Sequence, residues 1–98
     1  MLIPELTIEI DGGFYPTQDW SMGGFRISGY GGGLAVGDRF AARMFGTIRG
    51  RQVEARVFAT VVRLDRDSGE LAASYYAFEH RAFETLERFA TRQLRRRA

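Results

Sequence analysis

The chain has 98 residues, of which 45% are apolar, and a formal net charge of only +2. That length makes one domain, residues 1–98, with no room for a second, and the apolar fraction excludes a disordered chain. No cysteine occurs, which excludes disulfides and thiolate metal sites, and no apolar stretch approaches the roughly 20 residues a membrane-spanning helix needs.

Met1-Leu2-Ile3-Pro4-Glu5 lacks the basic start and long apolar run of a signal peptide, so a cytoplasmic location is expected. Leu6, Ile8 and Ile10 then alternate with Thr7 and Glu9, the period-two pattern of a half-buried strand. Asp11-Gly12-Gly13 reads as a hairpin turn, because Asp-Gly accepts the positive φ angles of tight turns. Residues 14–17 return as the partner strand. Residues 19–24, Asp-Trp-Ser-Met-Gly-Gly, form a polar bend, and residues 25–27 open the next strand.

The glycine-rich run 28–33 reads as a flexible loop between strands. A phosphate cradle of the dinucleotide type would have to open a helix, so that the helix N-terminus meets the phosphate. Here residues 39–45 read as another strand instead. A turn is expected over residues 46–51. From Val53 the odd positions Val53, Ala55, Val57, Ala59 and Val61 are apolar, while the even positions include Glu54, Arg56 and Thr60. That predicts a long strand with one face on a core. Residues 65–69 make a polar turn, and residues 70–77 return as the last strand.

The period then changes. Phe78, Ala82, Phe83, Leu86, Phe89, Ala90 and Leu94 recur at steps of three and four. They predict an amphipathic helix of about four turns, beginning near residues 78–80. The expected fold class is all-β with a C-terminal helix: a small antiparallel barrel of about six strands, with the helix over an open end or against a neighbour.

Catalytic chemistry is hard to place on this chain. His80 is the single histidine and stands between Glu79 and Arg81, without the positioned partners that acid–base work requires. Metal-ligand spacing is absent. The chain reads as a non-enzyme without a metal or a bound cofactor. All fourteen basic residues are arginine. Codon usage in a GC-rich genome accounts for most of that; the functional alternative is an anionic ligand, since guanidinium forks phosphate oxygens and stacks on bases. Twelve acids and the small net charge argue against a nucleic-acid polymer as partner.

The run Asp19-Trp20-Ser21-Met22-Gly23-Gly24-Phe25-Arg26-Ile27 has the order D-x-S-x-x-G followed by an apolar strand. That order resembles the second signature of the PilZ domain, the bacterial receptor module for cyclic di-GMP. The stretch 34–38, the long strand from Val53, the hairpin near Gly69 and the C-terminal amphipathic helix follow in the family's order. The resemblance implies a six-stranded antiparallel barrel and a ligand-binding set of Asp19, Trp20, Ser21, Gly24 and Arg26. A carboxylate accepts from guanine N1–H and N2–H₂, and a hydroxyl donates to phosphate. Trp20 would either stack on a base or act as an outward prop on the barrel. The family's first signature, R-x-x-x-R ahead of the first strand, has no counterpart here, because no arginine precedes Arg26. The chain is therefore expected to lack its N-terminal ligand clamp. The function implied is a cyclic di-GMP receptor that passes its signal to a partner or an attached domain, by ordering a segment against the barrel face. The alternative is a divergent adaptor that binds no nucleotide and acts through protein contacts, with the Tyr75/Tyr76 strand or the helix as interface. A homodimer through Phe83, Leu86 and Phe89 is a further option, and packing of that stripe on its own barrel is its competitor.

Overall fold

Six strands and one helix follow one another along the chain: β1 (Thr7–Ile10), β2 (Gly13–Trp20), β3 (Gly24–Ile27), β4 (Arg39–Ile48), β5 (Arg51–Asp65), β6 (Glu70–Phe78) and α1 (Ala82–Arg97). The computed structural model describes residues 6–97, with side chains through residue 91. Expectations that rest on Met1 to Glu5 or on the side chain of Leu94 lie outside the described residues. The strands pair antiparallel in the order β1-β2-β3-β6-β5-β4, and β4 returns to β1. The barrel is closed, as the alternating segments and short turns predict, and closure joins β1 to β4, the two strands that would otherwise be edges.

Turn chemistry sets the hairpins. Asp11 and Gly12 take φ of 49° and 83°, the left-handed pair that a two-residue hairpin requires. Arg49 and Gly50 repeat that geometry with φ of 53° and 77°. The β4–β5 turn is therefore tighter than the 46–51 expectation. Gly46 is a strand residue, and a Cβ there would run into the side chains of Leu6 and Phe89.

The inward positions of β5 are those the alternation marks: Ala55, Val57, Ala59 and Val61 are all buried. They meet Ile8, Ile27, Met44 and Leu71 across the barrel interior. α1 lies over one end, where Leu86 and Phe89 are buried and Phe89 meets Trp20 edge-on at 6.4 Å. The helical stripe thus packs mainly on its own barrel, and Phe83 stays 44% exposed. The helix starts later than residues 78–80. Phe78 still belongs to β6, the Glu79 N–H still donates to Arg56 O, and Arg81 takes φ of 68° before the first helical residue.

Tyr30 is buried at the other end. Its N–H donates to Gly69 O, its phenol oxygen accepts from the Leu34 N–H at 3.1 Å, and its ring lies 5.7 Å from Tyr15. The glycine-rich run joins β3 to β4, as expected of a connection between strands, and Tyr30 anchors it on the barrel. Among the described residues no helix is long and apolar enough to cross a membrane.

Tyr75 donates its phenol to Met44 Sδ at 3.3 Å inside the barrel wall. Burial pushes the phenol well above the ordinary tyrosine value. In the unfolded chain the phenol ionises near pH 10. The folded state resists that ionisation, so this contribution to stability is full below about pH 10 and is lost as the pH climbs through the higher folded value. Tyr75→Phe is expected to cost about 1 kcal/mol or less at pH 7 and to flatten the alkaline decline. Urea melts from pH 7 to 11 check both; an unchanged alkaline slope in the variant contradicts the assignment.

Candidate ligand-binding site

Two β-bulges build the site. Thr17 on β2 pairs with Ile27 and Asp19 pairs with Arg26, so Gln18 is an extra residue. Thr17 points inward, and both its N–H and its hydroxyl donate to Leu6 O. After the bulge Trp20 points inward as well, and Asp19 is left on the outer face opposite Arg26. A bulge commonly re-aims a side chain in this way. β5 carries a similar irregularity: Val61 pairs with Ala73 and Arg63 with Ala72, so Val62 is extra. Val62 and Arg63 are both exposed, directly after buried Val61.

These shifts produce a row of alternating charge across β2, β3, β6 and β5. Arg26 Nη2 donates to Asp19 Oδ2 at 2.7 Å, and Arg26 Nη1 lies 3.7 Å from Glu70 Oε2. Arg63 Nη2 donates to Glu70 Oε1 at 2.8 Å. The buried Arg26 Nε has no hydrogen-bond partner among the described residues.

Ser21 to Gly24 forms the β2–β3 connection. The Ser21 N–H donates to Gly24 O at 2.8 Å, and the Gly23 N–H donates to Ser21 Oγ at 3.1 Å. The Tyr75 N–H donates to Gly23 O at 3.0 Å, which ties the connection to β6. Gly24 sits against β6, where a Cβ would collide with the Ala73 carbonyl. Its φ lies outside the left-handed region, so close approach of the backbones is what requires glycine there.

Asp19, Ser21, Gly24 and Arg26 all line one open depression of about 680 Å³, together with Arg63 and Ala72. Four of the five candidate residues thus come together. Trp20 does not. It is 1% exposed, faces Phe89, and its indole N–H has no partner among the described residues. Neither the stacking platform nor the outward prop describes it, because the bulge at Gln18 turns it into the core. Arg63 is the residue that the motif leaves out. Its signal in the sequence is the break in β5's alternation, where strict period two would put Val62 outward and an arginine inward.

Chemically, the depression offers one carboxylate, one hydroxyl free to donate its proton, and two guanidinium groups. Asp19 Oδ1 makes no hydrogen bond among the described residues, so it remains an acceptor. His80 is exposed at a separate depression near the start of α1, beside Glu79 and Arg81.

Comparison with solved structures pairs the chain with the crystal structure of the PilZ domain of CeSA from a cellulose-synthesising bacterium. The two superpose with a TM-score of 0.59 over 91% of this chain and 89% of that one, at 16% sequence identity. The chain has a PilZ-like fold. Neither a family model nor a curated protein matches by sequence. The PilZ-like barrel accounts for the strand order, for the closed sheet and for the helix after β6. At 16% identity the likeness concerns the fold alone.

Proposed function

We propose that this chain is a receptor domain for cyclic di-GMP that passes the signal to a protein partner or an attached domain. The observation that carries this reading is the convergence of Asp19, Ser21, Gly24 and Arg26 on one open depression of a PilZ-like barrel. In this reading Asp19 Oδ1 accepts from a guanine N1–H and N2–H₂, and Ser21 donates its hydroxyl proton to a phosphate oxygen. Arg26 supplies a guanidinium fork for O6 and N7 of guanine or for phosphate. Gly24 keeps the floor of the depression free of a side chain.

The second reading is an adaptor without nucleotide. What favours it is that Asp19 and Ser21 already have local work, one in the Arg26 ion pair and the other accepting from the Gly23 N–H. Tyr76 and Phe83 are also exposed aromatics that suit a protein contact.

Titration of the 98-residue chain with cyclic di-GMP, followed by amide NMR, separates the two. Expected affinity is weaker than about 1 µM, because no arginine precedes Arg26 and charge-assisted contacts carry much of such binding. Shifts should centre on residues 19–26. Asp19→Ala and Ser21→Ala should each weaken binding about tenfold, while costing only about 0.5–1.5 kcal/mol of stability. Strong destabilisation with unchanged nucleotide response would make the connection structural and give the adaptor reading the lead.

A further inference from the structure

Arg26 and Arg63 reach the depression from strands on either side of β6. Both pair with the same residue, Ala72, one from β3 and one from β5. Two strand spacings separate them, so their Cα atoms stand about 10 Å apart. The small side chain between them leaves the floor open. Arg63 faces outward only because of the bulge at Val62.

Glu70 lies two residues before Ala72 on β6, on the same face. One of its oxygens addresses each guanidinium: Oε1 takes the Arg63 bond at 2.8 Å, and Oε2 stands 3.7 Å from Arg26. A phosphodiester also presents two oxygens that share a single negative charge. The Glu70 carboxylate therefore sits where such a group would be held between the two forks. Its hold is loose. The Arg26 distance is too long for a hydrogen bond, Arg63 is 60% exposed, and exposed pairs of this kind are weak and screened by salt. Arg26 also donates to Asp19 at 2.7 Å, a bond that aims it at the depression independently of Glu70.

We propose that Arg26 and Arg63 are the phosphate-gripping pair of this depression, and that Glu70, which now bridges them, is the internal occupant that an incoming phosphate displaces. The inference rests on the receptor reading for the identity of the ligand. It adds a residue from β5 to the site and a carboxylate that sets its affinity. Glu70 acts against binding. Asp19, the carboxylate that lines the depression, acts for it by anchoring Arg26.

The test uses the full chain, its Glu70→Gln and Arg63→Ala variants, and two probes taken separately: inorganic pyrophosphate and cyclic di-GMP. Amide NMR reads the site and the fold in one spectrum. With pyrophosphate, shifts should fall on Arg26, Arg63 and Ala72. Glu70→Gln should bind it about tenfold more tightly and Arg63→Ala about tenfold more weakly, the size expected for one charge-assisted contact. Pyrophosphate affinity that is the same in all three proteins overturns the proposal. So does cyclic di-GMP binding that the Asp19→Ala variant of the preceding subsection weakens and that Arg63→Ala and Glu70→Gln leave unchanged; the receptor reading then stands without the pair. If pyrophosphate responds as expected and cyclic di-GMP fails to bind any of the three proteins, the pair stands and the receptor reading falls.

Discussion

Gly24→Ala is expected to destabilise the barrel by about 3 kcal/mol or more, beyond the usual cost of overpacking a core. An added Cβ would meet the Ala73 carbonyl oxygen and then the Ala73 carbonyl carbon at 3.1 Å and Ser74 Cα at 3.2 Å. These are backbone atoms of β6, held by the β3–β6 ladder, and they cannot rotate away as a side chain would. Relief requires β3 to separate from β6, and β3 is only four residues long. Roughly 12 °C or more in melting temperature follows for a domain of this size. The neighbouring Gly23 is the control. A Cβ there meets only Ser21 Oγ at 3.7 Å, an ordinary contact, and its φ is not left-handed. Gly23→Ala should stay within about 0.5 kcal/mol of the parent. Thermal melts of the two variants decide the matter; equal melting points would mean that β3 and β6 do not approach as described. The position also matters for the site, since the same strand contact holds Arg26 two residues later.

The elements that the sequence reveals are those whose cause is local. Asp11-Gly12 supplies a turn by its own φ preferences, and the odd positions from Val53 to Val61 mark a core face without help from any partner. The change of period after β6 marks the helix. What stays hidden depends on register between strands. A single extra residue at Gln18 or Val62 is chosen by how β2 fits β3 and how β5 fits β6; the broken alternation at Val62 and Arg63 marks the place on β5, and nothing in the pattern of β2 marks Gln18. Strict alternation from Tyr15 and Thr17 would send Asp19 inward and Trp20 outward. The bulge does the reverse, which is why Trp20 belongs to the core while Asp19 belongs to the depression. The late start of α1 has a related cause. Phe78 satisfies the helical period, yet the Glu79 bond to Arg56 keeps the chain in the sheet for another residue. Of the candidate site, the motif alone brings Asp19, Ser21 and Gly24 together, because they lie within six residues of one another. Arg63 and Glu70 come from the far hairpin, and only the pairing of β3 with β6 places them alongside.

Trp20→Ala should cost about 3–5 kcal/mol, the range for removing a large aromatic from a packed interior. The ring is among the largest fully buried side chains and stands edge-on to Phe89 at an interplanar angle of 84°. Phe89 in turn packs into the space left by Gly46, so the tryptophan is the floor on which the helix rests. Phe89→Ala should also be costly, by about 3 kcal/mol. Because the two rings touch, the double variant should lose less than the sum of the single losses, by about 0.5–1.5 kcal/mol. Melts followed by circular dichroism give all four numbers without relying on the lost indole. Additive losses would mean that α1 does not dock on Trp20. An exposed stacking platform makes the opposite forecast for the single variant: stability within about 0.5 kcal/mol of the parent, with the loss appearing in nucleotide affinity alone. The buried ring predicts that the barrel itself weakens, and that any change in binding follows from the strand that carries Asp19 losing its anchor one residue away.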